Sequence, residues 1–217
     1  LQRYGRQTVN VTKAIQKLGN YQARRESLIA ERERLIKKAD DASQGALKRL
    51  KNKETLGEVG FDAVLLFAKG EALKAIAPLL PYFEIDVRKV RVLGIDDWSS
   101  RRLRREPSLA GAWYAAASPD AHASFVDRFV AAYKTSPHAL AALAYDITAL
   151  AAIKGSKGGH GFSVDQLTVE NGFTGSTGLF RFRRDGLVDH RLAVIEVHPD
   201  GGKVISPSLK SFTSAWK

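Results

Sequence analysis

Few residues of this chain are equipped for chemistry, and most of them sit at turns. Asp96-Asp97 follow a short apolar run and precede Trp98. Adjacent carboxylates at a strand end bind a cation or act as acid and base, and an indole beside them stacks on a ligand. The plainer alternative is that the aspartates cap the next helix and Trp98 packs on the neighbouring strand. The loop Phe67-Ala68-Lys69-Gly70 closes another apolar run in the same way. Arg101-Arg102-Leu103-Arg104-Arg105 places four cations in five positions, either a solvated loop or a partner surface. Gly155 to Gly161 is glycine-rich but lacks the Gly-Lys-Ser/Thr ending of a phosphate-binding loop, so it reads as a flexible connection. His122, His138, His160, His190 and His198 show no metal-ligand spacing, and the 217 residues contain no cysteine. No nucleophile–base pair emerges either. The expectation is a protein without catalytic residues, metal or cofactor.

Helices and strands must position those turns. Val9, Val11, Ile15 and Leu18 form a loose helical stripe that Gly19-Asn20 stops. Residues 24–50 are strongly helical, with Leu28, Leu35, Ala39, Ala46, Leu47 and Leu50 near heptad spacing, and Asp40 to Gly45 divides them. Phe61 to Phe67 reads as a strand buried on both faces, Glu71 to Leu80 as a helix closed by Pro81, and Val90 to Gly94 as a second strand. Strand, helix and strand with short links make a right-handed parallel βαβ unit. Leu109 to Ala117 is expected to be a strand, and helices are expected over 119–134 and 137–153. From Leu179 onward, short apolar runs alternate with turns such as Arg183-Arg184-Asp185-Gly186, the pattern of antiparallel strands. The class read from these patterns is α/β with a β-rich C-terminus.

The charge is regional. The chain carries 34 Lys+Arg against 23 Asp+Glu, net +11, and 14 against 6 of these lie in residues 1–54. That surplus suggests nucleic acid, but aromatic residues are not interleaved with the basic segment as single-strand binders require. Nucleic acid is therefore not the expected partner. No apolar run approaches the roughly 20 residues of a membrane span.

Several blocks resemble the type 1 periplasmic-binding-protein family, the fold of the leucine/isoleucine/valine-binding proteins. They are Gly60 to Leu66, Ala75 to Asp86, Val92-Leu93-Gly94 with Trp98, and Arg105 to Ala115. Further blocks are Phe125, Phe129 and Tyr133 at four-residue spacing, Leu143 to Asp146, Gly172 to Phe182, and Leu192 to Val197. The set is most similar to the branch of penicillin-binding-protein activators. The resemblance implies a three-layer α/β/α lobe with a mainly parallel sheet plus part of a second similar lobe, with residues 1–117 and 188–217 forming the second lobe of the fold and 118–187 the returning part of the first. A preceding half-lobe is expected, in a protein nearly twice as long.

The resemblance also implies a non-enzymatic protein of the periplasm, held at a membrane only through a lipid anchor outside this chain. Its first expected role is to bind a peptidoglycan synthase; the alternative is to serve an ABC-type uptake system as its amino-acid receptor, with the permease as partner. On the lobe present, Phe67, Lys69, Gly70, Asp96, Asp97 and Trp98 are the ligand-cleft candidates. Arg24, Arg25, Arg32, Lys37, Lys38, Arg101, Arg102, Arg104 and Arg105 are the partner-surface candidates.

Overall fold

A computed structural model describes residues 8–95, 98, 103, 105–138, 140–156 and 159–212. The chain forms two compact units, Leu1–Ala112 and Trp113–Lys217.

The first unit opens with three helices. In α1 (Thr8–Leu18), Val11 and Ile15 are buried one turn apart. Asn20 then takes the left-handed conformation, φ 47°, which asparagine tolerates better than most residues. In α2 (Tyr21–Lys38) only Arg24, Leu28 and Leu35 are buried, one narrow stripe on an otherwise charged helix. The expected division falls at Ala39-Asp40, where the Asp40 carboxylate accepts from the Ser43 amide at 2.8 Å and caps α3 (Asp41–Leu50).

Next come β1 (Ala63–Leu65), α4 (Gly70–Ile76), α5 (Leu79–Tyr82) and β2 (Arg91–Gly94). The strands pair in parallel, with Val64 opposite Val92, so the βαβ unit is present. Two details differ from the sequence pattern. The run 61–67 alternates rather than burying both faces: Val64, Leu66 and Ala68 are buried, while Leu65 and Phe67 are exposed. The helix expected over 71–80 is two short ones, because Pro78 has no amide hydrogen to continue the first. Pro81 lies inside α5, in its first turn, where the missing donor costs nothing. Leu73, Ile76, Ala77, Leu80, Ile85 and Val92 make the core.

In the second unit β3 (Trp113–Ala116) is shorter than expected, because Pro107–Leu109 forms a 3-10 turn rather than the start of the strand. Two long helices follow, α6 (Pro119–Tyr133) and α7 (Ala141–Gly155), then a 3-10 turn (Gly159–Phe162) and the short α8 (Val164–Leu167). Strands β4 (Phe173–Gly175), β5 (Gly178–Phe182) and β6 (Val188–Arg191) form one antiparallel sheet. β7 (Ala193–His198) pairs antiparallel with both β3 and β8 (Gly201–Ser206). Along β7, Ala193, Ile195 and Val197 point inward, the period of two that the tail sequence carries. The class is α/β, with a parallel pair in the first unit and a β-rich C-terminal part.

Candidate functional site

Parallel pairing sends β1 and β2 out at the same end, so the loops that follow them must meet. Leu66 continues the ladder by donating to the Leu93 carbonyl at 2.9 Å, and the Trp98 indole Nε1 donates to the Ala68 carbonyl at 2.9 Å. The strands thus bring the Phe67–Gly70 loop to Trp98, about thirty positions further along the chain. Phe67 is 69% exposed, Lys69 is exposed at the N-cap of α4, and Gly70 takes φ 53°, a conformation that favours glycine. Asp96 and Asp97 lie outside the described residues.

Trp98 departs from its expected part. It is fully buried, against Gly94, where a Cβ would come within 2.3 Å of the ring. The indole offers no face to a ligand. It ties the second loop to the first, the packing alternative raised by its place beside the strand.

The basic candidates separate in the same way. Arg24 is no surface residue: it is 8% exposed, and its guanidinium donates to the carbonyls of Gly19, Gly57 and Glu84 at 3.1–3.3 Å. Arg32 is half-buried and donates to the Leu50 and Lys53 carbonyls at 2.6 and 2.9 Å, closing the end of α3. Both arginines hold the helical hairpin together rather than meeting a partner. Arg25, Lys37, Lys38 and Arg105 are exposed, and Lys38 pairs with Asp40 at 3.1 Å. Arg101, Arg102 and Arg104 lie outside the described residues.

A cavity of about 660 Å³ opens at the opposite, amino ends of β1 and β2, beside Phe61, Asp62 and Val90. Two ion pairs stand on its rim, Lys89 with Glu58 and Arg88 with Asp86. Hydrogen bonds from Arg88 pull the Asp86 carboxyl down to about 2.

The second unit holds a buried polar cluster that the sequence pattern does not single out as a site. The Asp146 carboxylate, on α7, is 5% exposed and accepts four hydrogen bonds from the β4–β5 turn. They come from the Ser176 amide and hydroxyl, both at 2.7 Å, and from the Thr177 amide and hydroxyl at 2.9 and 2.6 Å. Burial pushes its pKa up, but the donors of Thr177 and Ser176 outweigh that and leave it below the usual value. Gly175 lets the turn approach, since a Cβ there would meet the carboxyl group at 2.4 Å. His190 on β6 is pushed down by burial, partly offset by Thr177 and Asp146, and its Nε2 is buried without a partner among the described residues. Beside this cluster lies a cavity of about 430 Å³ walled by α6, α7, β4 and β5. Asp146 and the Gly175-Ser176-Thr177-Gly178 turn are visible as motifs, but nothing local says that they meet.

Among the described residues no group of three or more His, Asp or Glu is placed to hold a metal, and no helix is long and apolar enough to cross a membrane.

No protein-family model and no curated protein matches the sequence. Solved structures do. One assigned as a branched-chain amino acid ABC transporter from Rhodospirillum rubrum superposes with a TM-score of 0.55 at 19% identity, over 75% of this chain and 48% of that one. A leucine-binding protein from Thermotoga maritima gives 0.48 at 17% identity, over 77% and 48%. A branched-chain amino acid transporter substrate-binding protein from Streptococcus pneumoniae, solved with isoleucine, gives 0.45 at 21%, over 76% and 48%. The chain therefore spans about half the length of the structures it resembles. Over some three quarters of its own length it has the α/β fold of the type 1 periplasmic binding proteins.

Proposed function

We propose that this chain is part of a periplasmic solute-binding protein that captures a small amino-acid-like ligand at the carboxyl ends of β1 and β2 and delivers it to an ABC-type permease. The observation that carries this reading is the convergence of the Phe67–Gly70 loop with Trp98 at one end of the parallel pair, in a fold shared with the Rhodospirillum rubrum protein. Open α/β sheets bind ligands at that end because loops diverge there and leave a crevice. Phe67 supplies apolar contact, Lys69 faces a ligand carboxylate, and Trp98 fixes the loop that carries them. No part of this requires a reaction, and the protein acts as a binder rather than an enzyme.

Calorimetry of the protein with aliphatic, acidic and aromatic amino acids tests the reading. Saturable heat from one class is expected, weakened about tenfold by Phe67→Ala, which is the loss of roughly 1.4 kcal/mol of contact. A flat response across the panel overturns it. A second reading, binding of a peptidoglycan synthase, draws on the exposed cations Arg25, Lys37 and Lys38 of α2. Recovery of detergent-solubilised synthase on the immobilised protein, reversed by charge substitution at those three positions, would favour it.

A further inference from the structure

We infer that the second unit carries a separate small-molecule site: the cavity between α6, α7 and the β4–β5 hairpin takes an organic monoanion with an apolar body. At about 430 Å³ the cavity has the size of a small-ligand pocket. Its apolar walls are Tyr145, Ile153, Phe173 and Phe180. Two cations line it, Lys154 from α7 and Arg128 from α6.

Their surroundings carry the argument. Lys154 is 9% exposed, yet no carboxylate pairs with it among the described residues. Its ammonium donates to the Gln166 carbonyl at 2.9 Å, reaches Gln166 Oε1 only at 3.5 Å, and lies 5.1 Å from the centre of the Phe173 ring. A buried ammonium without counter-charge is unfavourable, and a ligand carboxylate in the cavity relieves it. Arg128 is exposed at the mouth of the cavity and lies 5.6 Å over the Tyr145 ring, so it adds positive charge there without being a buried cation itself. The one carboxylate in the wall among the described residues, Asp146, is engaged by four donors from Ser176 and Thr177 and repels an anion less than a free carboxylate would. The two cations less Asp146 leave one positive charge, which one anionic group neutralises. The aromatic walls accept a ring or branched chain at its other end.

This site is independent of the strand-end site of the first unit, and the test separates them. The probe is 4-phenylbutyrate, with its neutral amide as control, titrated calorimetrically into the protein and into the Lys154→Met, Arg128→Gln and Phe67→Ala variants. Circular dichroism reports whether each variant is folded, and Arg128→Gln serves if Lys154→Met is not. Saturable binding of the acid is expected, with at least tenfold weaker binding of the amide. Each cation variant is expected to weaken the acid at least tenfold, and Phe67→Ala to leave it unchanged. No saturable binding, or equal binding of acid and amide, overturns the inference. So does an effect of Phe67→Ala that the two cation variants lack. A further check uses the cysteine-free background: Ile153→Cys is expected to react with maleimide and to be protected by the probe. An unreactive thiol at that position means that polypeptide closes the cavity, and also overturns it.

Discussion

Asp146 and His190 show what burial does to single groups. His190 is depressed below its ordinary 6.5 chiefly by burial, so the folded state holds it neutral while the unfolded chain protonates. A base with a depressed folded pKa contributes stability above its unfolded value and loses it as pH falls. Urea midpoints are thus expected to drop from pH 7 to pH 5, and His190→Gln to flatten that slope; an unchanged slope would show that the imidazole is not held neutral by folding. Asp146 acts lower on the scale. Its carboxyl is net depressed, so its stabilising effect is present above pH 3.8 and is lost as pH falls through its folded pKa. Asp146→Asn turns one acceptor oxygen into a donor facing donors already in place, and is expected to cost about 2–4 kcal/mol by chemical denaturation at pH 7. A cost near zero would mean the turn finds other acceptors. The residues of this cluster stand out in sequence only as separate motifs, because a hydrogen-bond partner thirty positions away has no local signature.

At the scale of elements, single side chains join one piece to the next. Arg24 holds the α1–α2 joint, the Gly57 loop and the turn after α5 through three carbonyls. Arg24→Lys is expected to lose nearly as much stability as Arg24→Met, about 2–4 kcal/mol, because one ammonium cannot reproduce the guanidinium fork; full retention in the lysine variant would show that charge alone suffices. Gly94→Ala pushes a methyl group into the Trp98 ring. It is expected to cost about 1–3 kcal/mol and to shift tryptophan emission to the red as the indole leaves its pocket. An unshifted spectrum would mean the backbone moves instead. Helices α1, α2 and α3, the parallel pair and the turn-rich tail were legible because helical spacing, short apolar runs and turn residues are all local signals. The one-sided burial of β1 was not, since Phe61 to Phe67 is apolar at nearly every position and its exposure depends on what covers each face. The burial of Arg24 was equally hidden, because a cation reads as surface until its three carbonyl partners are known.

For the whole molecule the deciding quantity is where charge and apolar surface go. Four of the fourteen cations of residues 1–54 are engaged within the fold: Arg24 and Arg32 bond carbonyls, Arg34 pairs with Glu31, and Lys38 with Asp40. Exposed pairs of this kind are weak and screened by salt. Duplex DNA or heparin is therefore expected to release the protein by about 0.2 M salt; retention well beyond that would restore a nucleic-acid reading. Composition and periodicity by themselves determined the α/β class, the βαβ unit and the antiparallel tail, because helix and strand periods are local and repeat within a few residues. They also located the strand ends at which Phe67, Lys69 and Trp98 lie. Only the tertiary structure decided that Trp98 and Arg24 are buried, that Asp146 is held by Ser176 and Thr177, and that Lys154 lines a cavity. Each of these depends on contacts between segments far apart in sequence, and burial and hydrogen bonding across such distances are properties of the folded chain.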